Sequence, residues 1–436
     1  MSTQSYNFGF QDSRARVGWY AILAVLLVVG LYGLYVRLTT GLLETNLTAT
    51  VPWGTWVAFY IYFVGLSAGA FLVSAMANVL GMKSLHAIER DALFVAVISM
   101  IVALLFIQAD LGRMDRSFNP LFHRQGMSVL SWEVHAYALY IGVLAGELYF
   151  SMRKDLVTVN ENGSGIRAKL AGLLTLGRTS TSEEAIETDR KWLKRLGILG
   201  IPLAIFFVHG GTGLLFAVNH SVTYWHTGVF PVIFIISAVV SGLGLVIALY
   251  VARAKFFGDN LSRELLAGLG KLLGVFILID IGLKALDTIV GLYGMSPGKV
   301  ETWYLILFGE NAWAFWLMAI FAWTIPLIIL SRQKWRRSPR AMTLAGVSVI
   351  TGVIGTRFMI VVPALLVPDM DGMPAGVYAG TAEEWILSAG FIAFGALIYT
   401  VGAELLPLKP LEGGHGESTA EKDETDKAKP TVTADE

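Results

Sequence analysis

Several residues whose side chains hydrogen-bond or titrate sit in long apolar stretches, all toward the same end: Gln108 and Asp110 with Arg113 beyond them, then Glu133 and His135, then His209. A charge at the centre of a bilayer costs about 2.5–3.5 kcal/mol on insertion scales, so such groups face protein or water and mark functional positions. Of these, His135, His209 and Asp110 can both donate a hydrogen bond to a carbonyl oxygen and exchange a proton, with a pKa tuned by burial. A quinone asks for both, and Trp53 and the aromatic residues around Tyr60 would pack its ring and tail. Two other readings use the same residues. In one, Asp110 pairs with Arg113 to close a helix end and each histidine makes an interhelical hydrogen bond. In the other, His135 and His209 are the axial pair of a b-haem.

A second set lies further along. In Asp280-Ile-Gly-Leu-Lys284-Ala-Leu-Asp287 the charges fall at i, i+4 and i+7, on one helix face. They read as a static ion-pair ladder, self-neutralised by the central lysine, or as the lining of a wetted proton path. Glu310 and Arg357 lie at depths corresponding to Asp287, which makes Asp280, Lys284, Asp287, Glu310 and Arg357 the candidate path; Lys271, Glu147 and Glu404 extend it toward the other end. Arg113, Arg116 and Arg124 crowd the short segment 112–130, as a docking surface, an anion clamp or solvated charges.

The elements that position these groups are membrane helices. Charged residues are 15% and hydrophobic residues 55% of the 436, against about 25% charged in a soluble domain, and mean hydropathy is +0.62. A span needs about 20 apolar residues. The candidates are about 17–38, 55–80, 91–111, 131–151, 195–217, 227–251, 265–290, 302–330, 341–362 and 383–405, the eighth long enough to kink near Pro326. None alternates as a barrel strand would. The first exceeds a signal-peptide core and has no small-residue cleavage site, so it is read as an uncleaved span.

Charge and cysteine remove whole classes of function. Lys and Arg total 33 and Asp and Glu 33, so no net field favours nucleic acid. Cysteine is absent, which excludes disulfides, thiolate nucleophiles and cysteine-ligated zinc or iron–sulfur clusters within the chain. Any metal centre in an electron-transfer role therefore falls mainly to a partner. Lys and Arg concentrate in the N-terminus, 81–90, 152–194, 252–264 and the SRQKWRRSPR segment, which predicts both termini in the cytoplasm of a multi-pass cytoplasmic-membrane protein.

A parallel repeat is visible. Trp53-Gly-Thr and Trp225-His-Thr each lead into an apolar run with a small-residue cluster, Ser67-Ala-Gly-Ala and Ser241-Gly-Leu-Gly, and Glu133 and Glu310 follow at similar offsets. The organisation expected is an all-α integral membrane protein of about ten transmembrane helices. Residues 1–50 hold the N-terminus and first peripheral helix, 51–220 a first four-helix bundle, 221–366 a second, 367–406 a loop and tenth helix, and 407–436 a disordered acidic tail.

The motifs VPWGTWVAFYIYFVGLSAGAFLVS (51–74), DLGR (110–113), SFNP, MSVLSWE (127–133), HGGTGLLFA (209–217), ETWYLILFGENAWAFW (301–316) and Arg357 with its VVPALLVP stretch resemble, in order, those of the NrfD/PsrC membrane subunits. The resemblance covers nearly the whole membrane region. It implies a haem-free, quinone-interacting anchor subunit exchanging electrons and protons between menaquinone or ubiquinone and a four-cluster iron–sulfur partner on the outer face. That partner serves a molybdopterin, haem or hydrogenase catalytic subunit. It also implies a quinone site in the first bundle, which brings forward Trp53, Asp110, Arg113, Glu133, His135 and His209, with Arg113, Arg116 and Arg124 as the docking edge. Family members often carry a small residue where this chain has Glu133. The alternative function, from the repeat and the charged stripe, is a secondary transporter or proton-coupled carrier.

Overall fold

The computed structural model describes residues 9–368 and 372–411. Among them, ten helices are long and apolar enough to cross a membrane: α1 Ser13–Thr40, α2 Thr55–Asn78, α3 Glu89–Asp110, α4 Val129–Asn162, α5 Glu183–Ala217, α6 Phe230–Phe256, α7 Arg263–Tyr293, α8 Ala312–Ser331, α9 Pro339–Leu366 and α10 Ala382–Leu405. Each overlaps an expected span, and the differences have local causes. The segment expected as a loop over 152–194 is largely helical. α4 continues to Asn162, a short helix covers Gly165–Leu174, and α5 starts at Glu183 behind the N-cap Ser182. Arg153 of α4 donates to Asp189 of α5 at 2.6 Å and fastens the two polar extensions together.

The eighth span also differs. A separate helix, Pro297–Phe308, ends at Gly309, and only Ala312–Ser331 crosses. Its middle, Met318–Thr324, widens into i→i+5 turns just before Pro326, whose missing N–H cannot serve the carbonyl four residues back. α5 widens in the same way over Leu203–His209, beside Pro202.

Helices α2–α5 pack as one group and α6–α9 as another, joined where α2 meets α6 and α9 and where α5 meets α6; α1 and α10 pair on the outside and lean on α3. α2 is the most enclosed helix and α1 the least. Small residues make the central joint. A Cβ at Gly69 would stand 2.0 Å from the Ala238 carbonyl oxygen, and one at Gly242 would stand 2.2 Å from the Gly69 backbone. The two small-residue clusters aligned by the repeat thus face each other, and Trp53 stacks on Trp225 with centroids 5.5 Å apart.

Arg16 of α1 meets Glu404 of α10 at 2.7 Å, so both ends of the described chain lie on one side, the termini side. The acidic tail was expected to begin at 407. The first residues beyond α10 instead dock: Leu408 is buried, and the Pro407 carbonyl accepts from Arg90 at 2.9 Å. Positions 412–436, including His415, lie outside the described residues.

Candidate functional site

The side opposite the termini holds one set of the first bundle's buried polar groups. Ser128 caps α4, its hydroxyl accepting from the Ser131 N–H, and this aims Glu133 inward while His135, two residues on, points elsewhere. Glu133 is buried. Tyr137 Oη donates to Glu133 Oε1 at 2.6 Å, and Thr212 of α5 donates to the same oxygen. Tyr60 of α2 joins through Tyr137 Oη at 2.5 Å. Three helices therefore converge on one carboxyl group, whose second oxygen, Oε2, has no partner among the described residues. A carboxyl so held can accept or release a proton while its neighbours reorient around it.

A second cluster lies at the rim. Asp110 ends α3, buried, with Oδ1 unpartnered among the described residues. Its cationic neighbour is Arg37 of α1, not Arg113. Arg37 donates to the carbonyls of Ala109 and Leu111, both at 2.6 Å, and lies over the Trp56 ring. Glu384 faces the same cluster from α10, where it closes a capping box with Thr381. Tyr378 donates to Glu384 and accepts from the Thr55 N–H at 2.7 Å, so the segment before α10 is bolted to the start of α2. Burial pushes the Tyr378 phenol well above its ordinary range.

His209 and Arg357 meet between the bundles. Both are buried, and Arg357 Nη2 donates to His209 Nε2 at 3.4 Å. Gly65 leaves the room, since a Cβ there would lie 2.9 Å from that Nη2 and 3.1 Å from the histidine ring. Arg357 also lies over Phe234, its centroid 5.1 Å away. In the second bundle, Lys284 donates to Asp280 Oδ2 at 2.5 Å and Trp323 to the same oxygen at 3.0 Å. Asp287 instead lines a cavity of about 20 Å³, room for one water, with Lys284, Tyr224 and Trp303.

The expected residues therefore separate. Glu133 and Asp110 are buried at the predicted end, and Trp53 is half-buried among Trp225 and Phe216. His135 is half-buried and donates through Nδ1 to the Ser131 carbonyl at 2.7 Å, which leaves Nε2 as an acceptor in the neutral ring. Among the described residues no hydrogen bond joins it to His209, whose Nε2 meets Arg357. Arg113 is exposed and paired with Asp115 at 2.9 Å, so it does not join the cluster around Asp110, and Arg116 and Arg124 are exposed as well. Glu310 was expected inside the membrane; it lies exposed in the turn before α8, because the helix preceding that turn is not part of the span. Arg37, Tyr137, Thr212, Tyr378 and Glu384 were not singled out from the sequence.

The sequence profile of the family described as polysulphide reductase, NrfD, matches residues 43–369. The chain belongs to the NrfD family. Among similar proteins, a selenate reductase subunit from Mesobacillus selenatarsenatis is 37% identical, over 92% of this chain and 98% of its own. The Hdr-like menaquinol oxidoreductase integral membrane subunit of Archaeoglobus fulgidus is 26% identical over 90% of this chain and 94% of its own. The menaquinone reductase integral membrane subunit of Nitratidesulfovibrio vulgaris is 23% identical over 90% and 92%. This NrfD chain is a multi-pass membrane subunit of the kind found in reductase complexes, and none of these three relatives is named as a transporter.

Proposed function

We propose that this NrfD subunit exchanges electrons and protons between a quinone and an iron–sulfur partner docked on the face opposite the termini. The observation that carries the reading is the unmet hydrogen-bonding capacity at that end of the first bundle, Glu133 Oε2 and Asp110 Oδ1, in a chain related to menaquinone and menaquinol oxidoreductase subunits. The positive-inside bias supports putting the termini in the cytoplasm of a cytoplasmic membrane. With no cysteine, clusters must belong to the partner, and the exposed Arg113, Arg116 and Arg124 give an edge for it.

The donor set fits a quinone. When bound, it supplies reversible two-electron, two-proton chemistry at its ring oxygens. Half-buried His135 would meet a ring oxygen, its Nδ1 held by Ser131 so that Nε2 takes or returns a proton. Asp110, partly compensated by Arg37, would hydrogen-bond the other end, and Trp53 would pack the ring or tail. Glu133 and His209 are enclosed, so their part is to hold and pass protons rather than to touch the ring. On this reading the Asp280–Lys284 pair and Arg357 are a second, separate proton-handling stripe.

Gentle purification from the native membrane tests the proposal. Non-haem iron and quinol-linked turnover should accompany the chain, and Asp110→Asn should slow turnover in the assembled complex. A subunit that purifies alone from a detergent that spares its neighbours, free of iron and inert to quinol, would overturn it.

A further inference from the structure

Glu147 is fully buried in α4, and neither carboxyl oxygen has a hydrogen-bond partner among the described residues. It is not a corner of an ion pair. Elsewhere on the termini side buried acids are matched: Asp155 with Arg90 at 2.5 Å, Asp189 with Arg153 at 2.6 Å and Glu404 with Arg16 at 2.7 Å. The charge whose field acts on Glu147 is another acid, Glu89 at the start of α3. α5 closes the far side with Gly197, where a Cβ would lie 3.7 Å from Glu147 Oε1. A buried carboxyl with neither cation nor donor costs a static fold stability, and an ionisable group kept inside a membrane at that cost marks a functional position.

Its place on the helix says where they pass. Glu133, Tyr137, Tyr140 and Glu147 occupy positions i, i+4, i+7 and i+14, one continuous face of α4 turned into the bundle, and all are buried. α2 answers with Tyr60 and Ser67, seven residues apart on its own face. Tyr60 bonds Tyr137 at 2.5 Å, and the Tyr140 hydroxyl donates to the Ser67 carbonyl at 3.2 Å. Beyond Glu147, Glu89 Oε2 accepts from His86 Nδ1 at 2.6 Å, and the His86 side chain is 49% exposed on the termini side. Hydroxyls and carboxyls thus line the way from open water to Glu133, interrupted between Tyr140 and Glu147 by the buried side chains of Val143 and Leu144. That interval is about 10 Å of helix axis, shortened by the reach of both side chains.

We propose that this face of α4 is a proton route from the cytoplasmic side to Glu133, with His86 and Glu89 at its mouth and Glu147 as its central relay. The inference rests on the proposed quinone chemistry and adds which side of the membrane its protons are exchanged with. Oxidation of one quinol yields quinone, two electrons and two protons; the electrons go to the partner, and the protons leave by way of Glu133, Tyr137, Tyr140 and Glu147. Reduction runs the same path inward. Turnover then moves charge through the membrane dielectric, which exchange at the nearer surface would not.

The test uses the intact complex in vesicles, turning over a short-chain menaquinol analogue, with an impermeant pH dye on the termini side. The wild-type complex should change pH there in step with turnover. Glu147→Gln should cut that proton exchange at least about tenfold and lower kcat with KM unchanged. Tyr140→Phe keeps the ring packed edge-on against Phe71 and loses only the hydroxyl, so it folds even if the first variant does not, and it should show the same loss of sided exchange. Wild-type exchange in either assembled variant overturns the route. A wild-type complex that turns over quinol but exchanges protons only on the opposite side overturns it too, while a wild-type complex with no quinol turnover overturns the functional reading instead.

Discussion

At Glu133 the carboxyl is shared by hydroxyls from Tyr137 and Thr212, with Tyr60 behind them. Glu133→Gln keeps the volume but cannot carry the proton, and loss of one acid–base group typically costs about 10²-fold or more in rate. We expect quinol turnover of the assembled complex to fall by about that factor, with KM little changed; a variant at wild-type kcat would remove Glu133 from proton handling. His86 gives a prediction in pH. Its hydrogen bond to Glu89 raises the imidazole above its ordinary 6.5, against the effect of burial. A raised pKa means the pair stabilises the fold fully below about pH 6.5 and loses that contribution as pH climbs through the raised value. The melting-temperature gap between wild type and His86→Gln should therefore shrink from pH 6.5 upward, and a gap that widens with pH would contradict the pairing. The sequence made Glu133, Asp110 and His209 legible because a titratable group in an apolar run stands out. It hid Arg37, which looks like a loop charge counted for orientation yet folds back onto the Ala109 and Leu111 carbonyls. It hid the α4 face as well, because tyrosines at helical spacing read as packing, and Glu147 was attached to the stripe of α7 because position along a helix does not reveal the neighbour.

Helices were readable to within a few residues wherever an apolar run met a polar loop, and were not where polarity and helicity part company. The extensions of α4 and α5 are polar outside the bilayer but stay helical through the Arg153–Asp189 pair. The run 302–330 is apolar on both sides of Gly309-Glu310-Asn311 and breaks there, since a window of hydropathy does not register a helix end. How elements approach one another was partly legible in the small-residue clusters, which meet at Gly69 and Gly242. Gly69→Val would drive a side chain into the Ala238 carbonyl, with no flexible atom to yield. Overpacking of this kind costs about 1–3 kcal/mol and more where backbone must move, so the variant should melt lower in detergent and lose turnover as α2 shifts. Gly30→Val makes a similar clash with Gly390 between α1 and α10, but that pair is peripheral. It should lower the melting temperature and cost less turnover than Gly69→Val in whatever assembles. Equal loss of turnover in both would mean that the rim, too, positions the site.

Across the whole molecule the buried charges toward the termini are mostly held in ion pairs, with Glu147 the exception. Toward the termini, Arg253 of α6 reaches Asp91 of α3 at 3.2 Å and Asp259 at 2.6 Å, and Tyr399 of α10 donates to Asp91 at 2.9 Å, so one guanidinium ties the second bundle to the first and to the peripheral pair. Toward the opposite side, Asp110 and Glu133 keep unpartnered oxygens, and Arg357 keeps Nε and Nη1 unpartnered among the described residues. A clamp and a working end make different demands: paired charges resist motion, whereas groups that pass protons must be free to exchange partners. Arg253→Met tests the division. Removing one partner of a buried pair typically costs about 3–5 kcal/mol, because the acids left behind are uncompensated. The variant should lose several degrees of melting temperature, and Asp91→Asn added to it should restore part of the loss by removing one orphaned charge. Throughout, KM for quinol and the pH dependence of turnover should stay those of the wild type, since the clamp touches neither His135 nor Glu133. A shift in KM without a change in melting temperature would mean that the two sides are not separate, and that the ion cluster reaches the working end through α3.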